Sequence, residues 1–192
     1  MNVKIEVKEN SVSVSAPYVP QFPARAKAIG GKWSAGSKVW KFDSRDEGRV
    51  RELCREIYGT DGLTAEKLVT VRVNATGDLY GRDYFKFGRQ IARRPGRDAA
   101  VRLGDGVIII TGSFPSSGGS AKYPSILGRG DAEIIFEIRD VPESMALAEI
   151  EENPETISLV EEVETKTSSP LASFDDADLI AELERRGYKV GK

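Results

Sequence analysis

The sequence predicts an α+β protein with a small ββαββα module at its N-terminus, a β-rich second unit, and an acidic, partly disordered tail that ends in an amphipathic helix. Apolar residues recur at every second position in several short segments, as in strands, and elsewhere they recur with the spacing of one helix face. Charge also divides the chain: residues 1–139 hold 23 Lys and Arg against 16 Asp and Glu, whereas residues 140–184 hold 1 against 14. The predicted domains are residues 1–62, residues 66–140, an acidic linker at 141–174 and a terminal helix at 175–190.

The first module opens with a predicted β-hairpin. Val3, Ile5 and Val7 alternate with polar residues, and Val12 and Val14 repeat the pattern after a short Lys-Glu-Asn turn. Two alternating segments joined by a tight turn are typical of paired antiparallel strands.

A short helix is predicted next. Phe22, Ala26 and Ile29 have helical spacing, and they are followed by Gly30-Gly31. Glycine accepts the left-handed conformation that commonly ends a helix, so the helix is expected to stop there.

A second hairpin and a second helix complete the module. Strands are predicted at Lys32–Ser34 and Lys38–Phe42, around a small turn. A helix is predicted from Arg45 to Tyr58, because Ser44 and Glu47 have the spacing of a capping box and an apolar stripe follows. That stripe consists of Val50, Leu53, Cys54 and Ile57, and Gly59 ends the helix.

The second unit is rich in predicted strands. These lie at Leu68–Val73, Val107–Thr111 and Glu133–Arg139, each with many β-branched or apolar residues. Between the first two, residues 80–102 mix aromatic and basic side chains. Residues 112–130 are rich in Gly and Ser, and they predict a long mobile loop.

From Val141 onwards the composition becomes acidic and poor in aromatic residues, which predicts an unfolded tail. Residues 165–173 are expected to form a flexible linker. A last helix is predicted at residues 175–186, because Asp residues open the segment and Arg residues close it, in agreement with the helix dipole. Its apolar face would comprise Leu179, Ile180 and Leu183.

Composition excludes several kinds of catalytic centre. The chain contains no histidine, so it lacks the usual general base near neutral pH and the commonest zinc ligand. Its single cysteine, Cys54, cannot form an internal disulfide and is expected to be buried. No apolar segment has the length of a membrane span and no leader is recognisable, so a cytoplasmic protein, with nucleoid association as one option, is predicted.

The interpretation is therefore a non-enzymatic protein without catalytic residues, cofactor or metal. The chain has no Gly-x-x-x-x-Gly-Lys-Ser/Thr loop. A Mg²⁺-dependent nuclease stays open as an alternative, with Asp105, Glu133 and Glu137 as candidate ligands, although they form no recognisable nuclease pattern.

The most informative cluster combines both tryptophans with lysines. Trp33 and Trp40 lie on the second predicted hairpin beside Lys32, Lys38 and Lys41. Aromatic faces stack on unpaired bases, and lysines neutralise phosphates. The sequence therefore predicts a single-strand or junction binding site. The alternative is that the two indoles simply fill the core of a small module.

A second basic patch could extend this site. Residues 80–102 hold seven Lys and Arg against two Asp. Because arginine can grip phosphate through two hydrogen bonds, the predicted contacts are Arg89, Arg93, Arg94 and Arg97. The alternative is a solvated surface beside ordinary core aromatics. Gly118-Gly119-Ser120 with Lys122 is a weaker candidate for a phosphate-binding nest of backbone N–H groups.

Residues 13–58 resemble the HARP domain of annealing helicases and related bacterial helicase-associated modules. The resemblance rests on Phe22, Gly31, Lys32, Trp33 and Trp40, with the Arg45–Tyr58 helix following. It implies recognition of DNA structure, with a preference for junctions between single and double strands. That family usually joins the module to an ATPase motor, which this sequence lacks.

Two functions follow as hypotheses. The first is a nucleic-acid-binding protein in DNA replication, repair or mobile-element biology, with DNA, or RNA, as its partner and no membrane contact. The second is a phage- or plasmid-type inhibitor or adaptor, of the anti-CRISPR or anti-restriction kind. Its acidic segment 140–164 or its helix 175–186 would bind a protein complex.

Overall fold

The structure is a computed structural model that describes residues 3–75, 79–127, 133–160 and 176–187. Helices and antiparallel sheets occur together, so the predicted α+β class is confirmed. Residues 1–160 form one compact unit and residues 161–192 a second one. None of the described helices has the length and apolar character needed to cross a bilayer.

The first sheet is built from residues 4–43 and is entirely antiparallel. Its strands lie in the order β1-β2-β4-β3, so β3 is an edge strand. The elements are β1 (Lys4–Lys8), β2 (Ser11–Ser15), α1 (Gln21–Ala28), β3 (Lys32–Ser34), β4 (Val39–Asp43) and α2 (Glu47–Tyr58).

One face of the first sheet is buried beneath the two helices. Val12, Val14 and Phe42 project from alternate strand positions onto Phe22 and Ala26 of α1. Burying a side chain of this kind contributes about 1.5–3 kcal/mol, so this face anchors the module. The other buried members of this core are Val19, Val50, Leu53, Cys54, Ile57 and Tyr58.

The start of α2 differs from the predicted capping box. Residues 44–46 form a short 3-10 turn, and Asp43 rather than Ser44 accepts a hydrogen bond from the backbone N–H of Arg45 (3.0 Å). The helix ends at Gly59, whose φ of 71° is the left-handed conformation expected there. Local sequence therefore specified the end of the helix better than its beginning.

The second half of the compact unit contains two further sheets. One is four-stranded in the order β11-β5-β10-β9, and the other is three-stranded in the order β6-β7-β8. In chain order the elements are β5 (Leu68–Asn74), β6 (Asp83–Lys86), β7 (Arg89–Arg93), β8 (Arg102–Leu103), β9 (Val107–Thr111), β10 (Ile135–Pro142), α3 (Glu143–Glu152) and β11 (Ile157–Leu159).

These two sheets share a second core. Val71 and Val73 of β5, Phe136 and Ile138 of β10, and Ile91 of β7 are all fully or almost fully buried. Along β5 and β10 of the four-stranded sheet, buried and exposed residues alternate. The face of this sheet that is turned away from the core is therefore open to solvent.

The two cores meet at close backbone contacts. A Cβ added at Gly88, in the β6–β7 turn, would lie 2.4 Å from the carbonyl oxygen of Ile57 in α2. At Gly59, which has a left-handed φ, it would lie 2.7 Å from Pro142 and Met145. Neither position has room for a side chain, which shows that α2 packs closely against the second half of the unit.

The predicted mobile loop is well anchored within its described part, residues 112–127. Ile126 and Leu127 are buried in the second core, and Arg94 donates hydrogen bonds to the carbonyl oxygens of Pro115 (2.7 Å) and Ile126 (3.0 Å). The mobile-loop prediction is therefore wrong for these residues, because contacts distant in sequence hold the loop.

The acidic linker prediction also needs correction. Residues 143–159, expected to be unstructured, form α3 and β11. Ile157 pairs with Val73 of β5 and is buried, and Ala146 of α3 is buried as well. The linker at 165–173 and the remainder of the acidic segment beyond Val160 lie outside the described residues.

The terminal helix, α4 (Asp176–Arg185), belongs to the second unit. Glu182 accepts hydrogen bonds from Arg185 (2.7 Å) and Arg186 (2.6 Å), as expected for pairs three and four positions apart. Ile180 and Leu183, predicted for its apolar face, are exposed within this unit.

Candidate nucleic-acid interface

The two tryptophans form a pair at the free edge of the first sheet, which we term the aromatic edge. Trp33 of β3 is directly opposite Trp40 of β4, and their ring centroids lie 5.7 Å apart. Trp40 is half-buried, with the edge-to-face ring of Phe22 at 6.0 Å. Trp33 is 52% exposed. Trp40 therefore supports Trp33, whose ring is accessible to a base.

The lysines lie on the other face of the sheet. Successive strand residues point to opposite faces, so Lys32 and Lys41 project away from Trp33 and Trp40. The register agrees: Trp40 is opposite buried Val14, whereas Lys41 is opposite Ser13. The rings and these amines therefore do not share one groove, although both groups flank the same edge strand.

Lys32 and Lys41 form a cross-strand pair of like charges. Within the described part of the chain, neither has a carboxylate within 4 Å. Like charges directly opposite one another destabilise a sheet. We call this surface the lysine face; it also carries Ser11, Ser13 and Ser15 of β2, Lys4, Glu6 and Lys8 of β1, and Asp43 of β4, with Glu6 lying 2.6 Å from Lys4.

Lys38 lies in the turn between β3 and β4. Its backbone has φ 53°, which is uncommon for a residue with a side chain, and its side chain is exposed. The turn thereby holds a third cation beside the aromatic edge, at the end of the β3–β4 hairpin.

Of the four predicted arginines, Arg89 and Arg93 line one cleft, whereas Arg94 and Arg97 lie elsewhere. Arg94 is fully buried, and besides its loop contacts it donates a hydrogen bond to the carbonyl oxygen of Ala99 (2.6 Å). Arg89 is 8% exposed and donates to the carbonyl oxygen of Arg139. Both were predicted to bind phosphate directly, but Arg94 is enclosed by its own loop and cannot do so.

Arg93 and Arg97 are accessible, but on different surfaces. Arg93 lies beside Arg82, and both contact the carboxylate of Asp83, at 3.4 Å and 3.0 Å. Arg97 lies 3.5 Å from Asp98 and borders a separate depression lined by Tyr80 and Tyr123. The four arginines therefore do not form one continuous track.

A larger cleft lies beside the aromatic edge, and we term it the arginine cleft. Its volume is about 830 Å³. Pro17 and Tyr18 line both this cleft and a small cavity of about 60 Å³ bordered by Trp33 and Trp40. Its lining also includes Arg82, Asp83, Phe85, Arg89, Gln90, Arg93, Asp105 and Asp140.

Tyr18 is a candidate residue that sequence reasoning missed. It is 69% exposed, and its ring is edge-on to Phe85 at 6.3 Å. The buried hydroxyl of Tyr58 donates to the carbonyl oxygen of Pro17 (2.9 Å), and burial raises the pKa of Tyr58, so this donor stays protonated. The available signal was an aromatic residue set between Pro17 and Pro20, which restrict the backbone.

The weaker candidates do not form sites. The backbone N–H groups of Gly118 and Ser120 are bonded to the carbonyl oxygens of Arg97 (2.9 Å) and Tyr123 (2.8 Å), so the phosphate nest is not formed. Glu137 pairs with Arg72 at 2.6 Å. The described residues contain no group of three or more acidic or thiol side chains that could hold a metal ion.

Cys54 is buried on α2, as predicted. Burial raises the pKa of its thiol to about 12, so the group is neutral and unreactive at physiological pH.

Comparisons with protein-family models, with curated proteins and with solved structures found no match to this chain. The HARP-like resemblance of residues 13–58 therefore stays a prediction.

Proposed function

We propose that this protein is a non-enzymatic nucleic-acid-binding protein that holds single-stranded or junction DNA along the edge strand β3. One observation carries the proposal: an exposed ring, Trp33, is braced by Trp40 on one side of this strand, and the Lys32–Lys41 pair lies on the other. Both features are energetically unhelpful to an isolated fold, since one exposes a large aromatic surface and the other opposes like charges.

The two faces are compatible with one bound strand. A nucleotide carries its base and its phosphate on different sides of the sugar, so a strand that follows β3 would stack a base on Trp33 and direct phosphates towards Lys32, Lys41 and Lys38. RNA has the same two groups and would satisfy the same contacts. A role in replication, repair or mobile-element biology belongs to this proposal, as does a cytoplasmic or nucleoid location.

Stacking and charge neutralisation should be separable. Loss of one stacked base weakens binding by about 1–3 kcal/mol, or about 5–150-fold. Each neutralised phosphate contributes about −0.7 to the slope of log K against log salt concentration for a single strand. Trp33 should therefore control affinity at every salt concentration, and the lysines should control the salt dependence.

The test is a titration of tryptophan fluorescence with single-stranded, duplex and forked oligonucleotides. We expect the single-stranded and forked probes to quench the emission, and Trp33→Ala to weaken their binding by about 5–150-fold. Trp33→Phe should restore part of the loss. Lys32→Gln and Lys41→Gln should each reduce the salt slope by about 0.7, whereas Lys27→Gln, a matched change on α1, should not.

The proposal would be abandoned if no probe bound, or if Trp33→Ala and Lys27→Gln had equal effects on affinity.

The protein-directed alternative has an observation of its own. Glu151, Glu152 and Glu155 are exposed at the end of α3 and just after it, so part of the acidic segment is displayed on a folded element. Fixed carboxylates of this kind could imitate phosphates to a DNA-binding partner. Recovery of such a partner in nuclease-treated lysate, lost on charge reversal of these three residues but kept in Trp33→Ala, would favour this function.

A further inference from the structure

The arginine cleft has a charge arrangement that the proposed function does not use. Arg82 and Arg93 both contact one carboxylate, that of Asp83, through their Nε atoms. The side-chain amide of Gln90 also donates to Asp83 (2.9 Å). Two guanidinium groups thus share one counterion, and among the described residues their terminal nitrogens have no hydrogen-bond acceptor. Arginine pairs of this kind suit the oxygens of a phosphate group.

Arg89 adds a third cation at the base of the cleft. It is more than nine-tenths buried, and over the described ranges no carboxylate lies within 4 Å of it. Its Nε has no hydrogen-bond partner in the part of the chain that the structure describes. Burial lowers the pKa of Arg89, and the charges of Asp140 and Asp105 partly oppose that shift. A buried cation without a close counterion is unusual, and it favours an anion in the cleft above it.

Besides the arginines, the cleft is lined by an aromatic ring and by carboxylates. Tyr18 exposes one ring beside Phe85, and the Tyr58–Pro17 hydrogen bond fixes the loop that carries it. Asp105 and Asp140 line the cleft as exposed carboxylates. An aromatic wall binds planar rings, whereas carboxylates accept hydrogen bonds from amino groups. The volume of about 830 Å³ lies within the range of sites for small ligands.

We propose that the arginine cleft binds one nucleoside monophosphate unit, with its phosphate on Arg82 and Arg93 above Arg89, and its base on Tyr18. Asp105 and Asp140 accept hydrogen bonds from the base, which favours bases that carry an amino group over uracil. The unit could be a free nucleotide or the 5′-phosphorylated end of a strand, because the chemistry of the two is the same. The site uses none of the residues at the aromatic edge or on the lysine face.

The test is calorimetric titration of the full chain with AMP, GMP, CMP and UMP, and with adenosine and inorganic phosphate. We expect one nucleotide per chain, with weakest binding for UMP, and adenosine or phosphate alone binding at least about tenfold more weakly than AMP. A second arm compares one oligonucleotide with and without a 5′-phosphate. A preference for the phosphorylated form without binding of any mononucleotide would identify the strand end as the source.

Matched variants locate the site. Arg82→Gln and Arg93→Gln should each weaken binding by about tenfold or more, whereas Arg49→Gln on α2 should not. Tyr18→Ala should weaken it by about 5–150-fold, whereas Tyr123→Ala, which removes an equally exposed ring, should not. Circular dichroism confirms that each variant is folded.

Failure of this proposal is distinct from failure of the proposed function, since Trp33→Ala should leave AMP binding unchanged. The nucleotide site would be refuted if neither the mononucleotides nor the 5′-phosphorylated oligonucleotide bound in a manner sensitive to Arg82→Gln and Arg93→Gln. It would also be refuted if UMP bound as tightly as AMP and Tyr18→Ala had no effect.

Discussion

Basic residues lie near aromatic residues in the sequence both at the aromatic edge and around β7, but the structure exposes the basic side chains to different extents in the two regions. At the aromatic edge, alternation along two short strands places Trp33 and Trp40 on one face and Lys32 and Lys41 on the other. Near β7, the adjacent residues Arg93 and Arg94 differ completely, since one lines a cleft and the other is fully buried. Basic composition therefore indicates a binding surface only where strand geometry exposes the side chains.

Arg94→Ala should have the largest effect on stability. It removes a buried side chain and leaves the carbonyl oxygens of Ala99, Pro115 and Ile126 without their donor. We expect the free energy of unfolding to fall by about 3 kcal/mol or more, measured by denaturant titration. Arg97→Ala, at an exposed position, should change it by less than about 0.5 kcal/mol.

Equal stability of these two variants would contradict the assignment of Arg94 as the anchor of the 112–127 loop.

Trp40→Ala should have the next largest effect on stability. Comparing it with Trp33→Ala distinguishes the roles of the two rings of the aromatic edge. Trp40 packs against Phe22 within the first core, so its removal should lower the free energy of unfolding by about 2 kcal/mol. Trp33→Ala removes a ring that is half-exposed and should lower it by less than about 1 kcal/mol.

Thermal or denaturant unfolding of the two variants checks this order. If Trp33→Ala were the more destabilising change, Trp33 would be a core residue and the proposed stacking surface would lose its support.

Among these changes, a substitution at Asp61 should have the smallest effect on stability. It tests a carboxylate whose hydrogen-bond partners lie close to it in the sequence. The backbone N–H of Leu63, the side chain of Arg55 and the backbone N–H of Thr64 hold the pKa of Asp61 well below its usual range. A carboxyl whose pKa is lowered by folding adds stability above its unfolded pKa of about 4, and this is lost as the pH falls towards the folded value.

Asp61→Asn should therefore be less stable than the wild type at pH 7, and the difference should shrink below about pH 4. Unfolding measured from pH 7 to pH 2.5 checks this, with Asp98→Asn at an exposed position as the control. A difference that stayed constant with pH would show that the charge of Asp61 contributes nothing.

Much of the first module was predictable because its signals are local. The hairpin from Lys4 to Ser15, the α2 helix and its end at Gly59 follow from alternation, helical spacing and the conformational freedom of glycine. The same alternation predicts that Trp40 and Lys41, which are consecutive in β4, lie on opposite faces of the sheet, and the register agrees.

The acidic segment shows that composition alone can predict disorder where the chain in fact folds. Residues 143–159 carry the charge of a disordered tail, yet α3 and β11 form because Ala146 and Ile157 find apolar partners and β5 has a free edge for pairing. Partners distant in sequence supply the burial that offsets the entropy of ordering this segment.

The amino-acid order alone determined the α+β class, the first hairpin and the α2 helix, and the presence of paired indoles beside cations. These depend on interactions within a few residues or on simple periodicity. Tertiary structure decided that Arg94 is buried and Arg93 exposed, that Tyr18 faces a cleft with Arg82, and that the acidic segment folds. Each of these depends on which distant surfaces meet and exclude water, and a single sequence does not encode that in any local pattern.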